Sequence, residues 1–490
     1  MRAREGEPAF FWARSFSFVK PGFIQAEQIM PSKNVIRAFQ ELLGRDNVYT
    51  EAADRHAYSF DSAVLEPVVP ELVVQPRDTE SLAGAVRLCN ENDLPLTVRG
   101  AGTNLSGGTL PSEEKGVVLL INALDRILEI NTEDLYARVE PGVITSHFAR
   151  AVAEKGLFYP PDPGSQNVST LGGNVAENAG GLRGLKYGVT KDYVLGVDFF
   201  DVNGELIKTG ARTVKCATGL NLAQLMVGSE GTLGVFREIV LKLVPPPASQ
   251  QAMLAVFDSV DRASETVSAI IADKILPCTL EFLDNFTIRA VESFRGAGLP
   301  TEAGALLLIE VDGHPAQVEE DARRIREICE KKGVTELKVS QSAEEKESVW
   351  QARRDALPAL ARLKPTTVLE DATVPRSKLP AMIRAINDIA NRHNLTIGTF
   401  GHAGDGNLHP TILTDKRDTE EFKRVELAIE EIFDAALELD GTLSGEHGIG
   451  MAKSKFMEKE TTRGTILYSR RLKQALDPKG ILNPGKIIGA

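Results

Sequence analysis

Two short blocks of this 490-residue chain carry the side chains with the widest chemical reach: Gly401-His402-Ala403-Gly404-Asp405-Gly406-Asn407-Leu408-His409 and Gly445-Glu446-His447-Gly448. Together they hold three of only seven histidines, so imidazole chemistry is concentrated here. Asp405-Gly406 is a strong turn signal, and the flanks from Phe400 to Thr411 read as two short strands. A hairpin is therefore expected, with His402 and His409 opposite one another on one face. Glu446 can supply a third donor. Two imidazoles and a carboxylate with open positions suit a divalent Zn, Mn or Fe ion. Taken alone, the same residues read more readily as hydrogen-bonded structural histidines than as metal ligands.

A second group of residues is rich in glycine instead of charge. Val98-Arg99-Gly100-Ala101-Gly102-Thr103-Asn104-Leu105-Ser106-Gly107-Gly108 is dense enough in glycine for backbone N–H groups to approach a phosphate. It is not a Rossmann fingerprint, because Leu105 stands at the third glycine position. Further loops follow: the proline rail 160–165, the run Ser169-Thr170-Leu171-Gly172-Gly173-Asn174-Val175-Ala176-Glu177-Asn178-Ala179-Gly180-Gly181, and Gly228-Ser229-Glu230-Gly231-Thr232-Leu233-Gly234. Several such loops in one region exceed what turns alone require.

The elements that must position these loops follow from periodicity. Helical patterns cover 35–43, 79–92 (Leu82, Val86 and Cys89 on one face) and 144–155; strands are expected at 72–75, 96–98, 117–121 and 136–140. Pro245-Pro246-Pro247 is the clearest linker. Beyond it, longer charged helices at 260–273, 316–332, 378–394 and 420–439 alternate with apolar strands at 253–256, 305–310 and 396–400. This predicts an α+β unit with an antiparallel sheet. The turn-rich 477–486 reads as a loop returning to a site.

Bulk properties narrow the function. The net charge of −12 argues against a nucleic-acid partner. No apolar run approaches the roughly 18 residues of a membrane span. The four cysteines have no CxxC spacing, which argues against a protein-held iron–sulfur cluster and fits a reducing cytoplasm. Residues 1–30 mix arginines with Phe10, Phe11, Trp12, Phe16 and Phe18. Glu5 and Glu7 interrupt the charge, so a disordered extension is expected over an address or docking segment.

In order along the chain, RGAGTNLSGG, PPDPGS, STLGGN…ENAGG, GSEGTLG and the terminal NPGK resemble the FAD-binding segments of the vanillyl-alcohol-oxidase / p-cresol-methylhydroxylase superfamily. GHAGDGNLHP and SGEHGIG are similar to its branch containing the flavin chain of glycolate oxidase, D-lactate dehydrogenase and D-2-hydroxyglutarate dehydrogenase. The resemblance runs from about residue 33 to the C-terminus. It implies an α+β fold with a two-subdomain PCMH-type FAD-binding domain (33–246), a substrate or cap domain with the metal site (247–464) and a C-terminal segment returning to the FAD domain (465–490), after an extension at 1–32. Arg99, Gly100, Ala101, Gly102, Thr103 and Asn104 would hold the pyrophosphate. Pro161, Asp162, Ser165, Thr170, Gly173 and Asn174 would line the flavin and ribityl side, and Asn483 the ring. Ala101 and the 160–165 run stand where relatives with covalent flavin carry histidine or cysteine, so non-covalent FAD is expected.

The resemblance also favours the metal reading of His402, His409 and Glu446. It makes His447 the base that takes the hydroxyl proton of a 2-hydroxy acid, and Arg353 the carboxylate-binding arginine. Lewis-acid polarisation would lower the pKa of that hydroxyl, and the C2 hydrogen would pass as hydride to the flavin. Relatives acting on hydroxyglutarate carry a threonine and a lysine where Leu357 and Leu369 align here, so glycolate or D-lactate is the expected substrate and D-2-hydroxyglutarate the alternative. An alkyl-glycerone-phosphate-synthase-like transferase would need a histidine-rich site of another spacing, and a non-catalytic flavin subunit would have eroded histidines. With no NAD loop or cysteine cluster, electrons are expected to reach an iron–sulfur subunit, an electron-transferring flavoprotein, or a quinone or cytochrome. The expected location is cytoplasmic, or peripheral to the membrane through such a partner.

Overall fold

The computed structural model describes residues 31–112, 116–340 and 342–488, so the extension expected at the N-terminus lies, apart from its last two residues, outside them. Three sheets organise the described residues. The first has four strands: β1 (Val48–Tyr49), β2 (Leu72–Val74), β3 (Leu96–Arg99) and β4 (Val117–Leu120), in the order β1-β2-β4-β3. β2 and β3 run parallel to β4 and β1 is antiparallel to β2. Parallel strands need helical crossovers, and Thr79–Glu91 supplies one. That helix starts at Asp78, which accepts from Ser81 N while Ser81 Oγ accepts from Asp78 N, a reciprocal cap. Its Leu82, Val86 and Cys89 are fully buried against Leu72, Val74, Val117 and Leu119.

The second sheet has five antiparallel strands: β5 (Ile127–Asn131), β6 (Tyr136–Val139), β7 (Val194–Phe200), β8 (Leu206–Ile207) and β9 (Val235–Lys242), in the order β5-β6-β9-β7-β8. Helices Thr145–Glu154 and Leu171–Glu177 cover it through Phe148, Val152, Leu171 and Val175. The C-terminal loop does return to the first sheet: Leu482 bridges Leu96 in parallel, and Asp477 accepts the Ile481 and Leu482 amides to shape the turn.

The three prolines at 245–247 separate β9 from the third sheet. Its eight strands are β10 (Ser249–Phe257), β11 (Thr279–Asp284), β12 (Ala305–Gly313), β13 (Glu336–Val339), β14 (Thr366–Leu369), β15 (Ala372–Thr373), β16 (Thr396–His402) and β17 (Asn407–Thr414). They are paired antiparallel in the order β13-β10-β12-β11-β16-β17-β14, with β15 also on β17. Strand alternation explains why helices lie on both faces. Met253 and Ala255 pack with Val267, Ile270, Ile325, Ile386 and Ile432 of the four long helices. Leu254 and Val256 face the other way, toward Ile288, Trp350 and Leu360.

The hairpin forms, but in a different register from the one expected. The turn at 403–406 pairs His402 with Asn407 and Phe400 with His409. The two histidines are diagonal neighbours on one face, not cross-strand partners. A four-residue turn closes the strands two positions earlier than direct opposition would need. Diagonal neighbours remain within reach of aromatic rings, and the two imidazole centroids lie 5.1 Å apart, edge to face.

Candidate active site

Two imidazole nitrogens aim at one carboxylate oxygen. His402 Nε2 lies 3.2 Å and His409 Nε2 3.3 Å from Glu446 Oε1. One donor atom from each of these residues falls within 4.8 Å of the others, and both histidines are buried. This donor set matches what Zn, Mn or Fe takes, and it leaves positions open. The buried Nδ1 of His409 has no hydrogen-bond partner among the described residues.

The backbone of the second block brings Glu446 and His447 to the hairpin. Asp371 Oδ2 accepts from Ser444 Oγ at 2.8 Å, Glu446 N at 2.9 Å and His447 N at 3.0 Å. Glu230 of the glycine-rich region accepts Ile449 N and Gly450 N, both at 2.7 Å, pinning the far end of the same loop. His447 stacks on His409 with centroids 5.1 Å apart and planes 8° from parallel. On the other side, a Cβ at Gly180 would lie 2.4 Å from Glu446 Oε2, so only glycine lets the 178–181 loop approach this carboxylate.

Electrostatics divide the two blocks. Burial works against the charged forms of Asp371 and Glu446, yet His447 and Lys453 hold Asp371 below the usual carboxylate range, and His402 and His409 hold Glu446 well below it. Burial likewise opposes a charged His402, but Glu281 and Glu446 keep its pKa well above the usual value. His447 goes the other way: burial pushes it down to about 4 although Asp371 pulls upward. It is thus a neutral imidazole at neutral pH, able to accept a proton.

Arg353 lies in the interior at the C-terminal end of helix Ala343–Arg354. It is 7% exposed, its Nε donates to Glu281 Oε2 at 2.6 Å, and its guanidinium lies 4.7 Å over the Phe400 ring. Glu281 Oε1 meets His402 Nδ1 at 2.7 Å. Glu281 and Asp371 escaped the reading of the sequence. The available signal was an acid inside the apolar run Thr279-Leu280-Glu281-Phe282-Leu283, and a Glu370-Asp371 pair between Val368 and Ala372.

The glycine-rich loops converge between the first two sheets. A cleft there is lined by Val98, Gly100, Gly108, Gly173, Glu177 and Gly231 among others. Arg99 is buried, with a long contact of 3.5 Å to Thr109 Oγ1. A Cβ at Gly100 would lie 2.4 Å from Thr170 Oγ1, the group that caps helix Leu171–Glu177 by accepting Gly173 N. Asn104 Oδ1 folds its own loop by accepting Ser106 N and Gly108 N, while its buried Nδ2 has no hydrogen-bond partner among the described residues. Asn483 Nδ2 donates to Gly108 O at 2.9 Å and Glu230 O at 2.6 Å, and its Oδ1 has no partner among the described residues. Buried polar groups are normally satisfied, so these orphans around a glycine-walled cleft fit a polar, phosphate-bearing ligand. Of the remaining expected residues, Ala101, Gly102 and Thr103 lie in the same loop and Pro161 is buried on the rail. Asp162 accepts Arg183 N, Asn174 gives its amide to Thr145 Oγ1 at 2.7 Å, and Ser165 sits partly exposed in a turn.

The glycine-rich cleft on the two small sheets lies beside the larger sheet that bears the imidazole–carboxylate cluster. The chain belongs to the FAD-linked oxidases: residues 70–210 match the FAD binding domain and residues 246–487 the family described as FAD linked oxidases, C-terminal domain. It is 49% identical to "Glycolate oxidase subunit GlcD" of Bacillus subtilis (strain 168), covering 94% of this chain and 97% of that one. "D-lactate dehydrogenase" of Anaerostipes hadrus is 32% identical, covering 92% and 97%. The structure of p-cresol methylhydroxylase with substrate bound superposes with a TM-score of 0.78 at 17% identity, covering 93% and 96%, and shares the fold. The family resemblance and the PCMH-type α+β fold read from the motifs therefore hold. Among the described residues no helix is long and apolar enough to cross a membrane.

Proposed function

We propose that the protein oxidises a small 2-hydroxy acid, glycolate or D-lactate, to the 2-oxo acid and passes the electrons to an acceptor other than NAD. The observation that carries this reading is the convergence of His402, His409 and Glu446 on one point, with His447 stacked beside them and Arg353 on the same sheet face. When bound, FAD supplies the two-electron acceptor and a divalent ion the Lewis acidity that eases loss of a hydroxyl proton. His402, His409 and Glu446 would hold the ion. The cleft residues Arg99 to Asn104, Thr170, Gly173 and Asn483 would hold the FAD without a covalent bond.

The chain's own contribution is positioning and proton transfer. His447 takes the hydroxyl proton on its neutral imidazole, since a group with a pKa of about 4 is unprotonated when substrate arrives at neutral pH. Arg353 grips the substrate carboxylate; with its Nε on Glu281, the Nη groups remain for a fork. Leu357 and Leu369 pack partly buried against the apolar cluster containing Phe400, which supports a substrate without a second carboxylate at those positions. The curated relatives named as subunits support an electron-accepting partner chain for this one. We also assign 33–246 to flavin binding, 247–464 to the substrate and metal, and 465–490 to the returning segment.

Anaerobic titration of the flavin-loaded protein with glycolate, each lactate enantiomer and D-2-hydroxyglutarate tests the reading. Bleaching of the flavin band at about 450 nm by glycolate or D-lactate is expected. Bleaching by hydroxyglutarate alone would overturn the argument from Leu357 and Leu369, and no bleaching by any of them would overturn the function.

A further inference from the structure

Strand β11 reads Thr279-Leu280-Glu281-Phe282-Leu283-Asp284, and its Glu281 is a carboxylate set among apolar neighbours. Leu280 and Phe282 bury into the core under the long helices, and Leu283 into the core on the opposite face. Between them Glu281 is 0% exposed. A carboxylate in such a strand is costly unless each oxygen has a partner. Here each oxygen has one: Oε1 meets His402 Nδ1 at 2.7 Å, and Oε2 accepts from Arg353 Nε at 2.6 Å. The two partners come from different elements, His402 from the end of β16 and Arg353 from helix Ala343–Arg354. Glu281 hydrogen-bonds with both.

We propose that Glu281 is a positioning residue that sets the metal-binding imidazole and the carboxylate-binding guanidinium with a single carboxylate. The inference rests on the function proposed above for His402 and Arg353. With Nδ1 of His402 held on Glu281, Nε2 is the ring nitrogen turned toward Glu446 and the ion site. The same carboxylate takes Arg353 Nε, fixing which edge of the guanidinium faces the substrate. Stacking on Phe400 at 4.7 Å sets the plane of that guanidinium, and Glu281 sets its rotation within the plane. The His402 imidazole and the Arg353 guanidinium are thereby held relative to each other by one side chain of β11.

The test uses flavin-loaded wild-type enzyme, Glu281→Gln and Glu281→Asp. Metal per flavin is counted by mass spectrometry after dialysis against graded chelator, beside kcat, KM and the melting midpoint. In Glu281→Gln the amide NH2 must face one of two N–H donors; in Glu281→Asp the charge stays but reaches only one partner. Both variants are expected to keep flavin and to lose metal to chelator at roughly 10–100-fold weaker competition. KM for the hydroxy acid should rise as well. A variant that holds metal as tightly as wild type with unchanged KM overturns the proposal. So does loss of flavin and melting midpoint in both variants, because a merely structural role predicts that. If wild-type enzyme itself holds no metal, the reading of His402, His409 and Glu446 fails, which is a different result from failure of Glu281.

Discussion

The flavin cleft and the histidine centre adjoin one another, yet they are built by opposite means. The cleft is made of backbone. Glycines (Gly100, Gly108, Gly172, Gly173, Gly231, Gly234) form much of its wall, and the polar side chains beside it, Asn104, Thr170 and Asn483, mostly fold the protein's own loops. The histidine centre is made of side chains, each held by a second charged group: His402 by Glu281, Arg353 by Glu281, and the Glu446–His447 segment by Asp371. A dinucleotide needs close approach over a long contour, which missing Cβ atoms provide. An ion and a small anion need well-placed donors in a small volume, which requires buried charges and partners to orient them. The 178–181 loop is where the two designs meet, because Gly180 lets the cleft's backbone lie against Glu446.

The largest effects should follow from removing the donors themselves. Glu446→Gln and His409→Ala are expected to lower turnover on the order of 10³-fold or more, the several kcal/mol that Lewis-acid assistance supplies. His447→Gln should cost about 10²–10⁴-fold with metal retained, since it removes only the base. All three should keep a normal flavin spectrum; loss of flavin in any of them would break the separation between the regions.

A pair of glycine substitutions tests the separation from both sides. Gly180→Ala puts a methyl 2.4 Å from Glu446 Oε2 and should cost about 10²-fold in turnover through misplacement, with flavin content unchanged. Gly100→Ala puts a methyl 2.4 Å from Thr170 Oγ1 and should release flavin while the metal donors stay intact. Flavin and metal counted per chain read both. The comparison collapses if each substitution removes both ligands. Asn483→Ala should act more mildly on the cleft alone. It strips a donor from the carbonyls of Gly108 and Glu230, about 1–3 kcal/mol for each, read as a lower melting midpoint and faster flavin release.

The same contrast explains what the sequence disclosed. Glycine-rich loops are legible because their glycines cluster in short runs such as 100–102 and 107–108, although the group that a Cβ at Gly100 would meet, Thr170 Oγ1, is visible only in the fold. The hairpin at 403–406 was legible from Asp405-Gly406, but its register was not, because turn length decides whether His402 meets Asn407 or His409. Glu281 was hidden because its partner His402 lies 121 residues away and reaches it only through sheet pairing. Asp371 was hidden likewise, 75 and 76 residues from the amides it holds. Local pattern shows that an acid sits in an apolar strand; only topology shows which cation it faces.

The smallest effect concerns two carboxyls on one strand. Glu281 and Asp284 both lie on β11 and both are desolvated. Burial pushes each up, but His402 and Arg353 bring Glu281 below its usual value, whereas Asp284 has only the Thr287 and Thr399 groups as donors and rises to about 6. A carboxyl whose folded pKa exceeds its unfolded value stabilises the fold below the unfolded value, and that stability is lost as pH rises through the folded one. Asp284 should therefore cost the native state up to about 3 kcal/mol by pH 8 relative to its contribution at pH 4. Asp284→Asn cannot ionise, so its melting midpoint should gain on wild type as pH climbs from 5 to 8, even if the amide starts lower through its poorer fit beside Thr399 N. Midpoint curves that stay parallel over that range would show that Asp284 is solvated or paired as Glu281 is, and that cation partners are not what distinguishes the buried acids of the histidine centre.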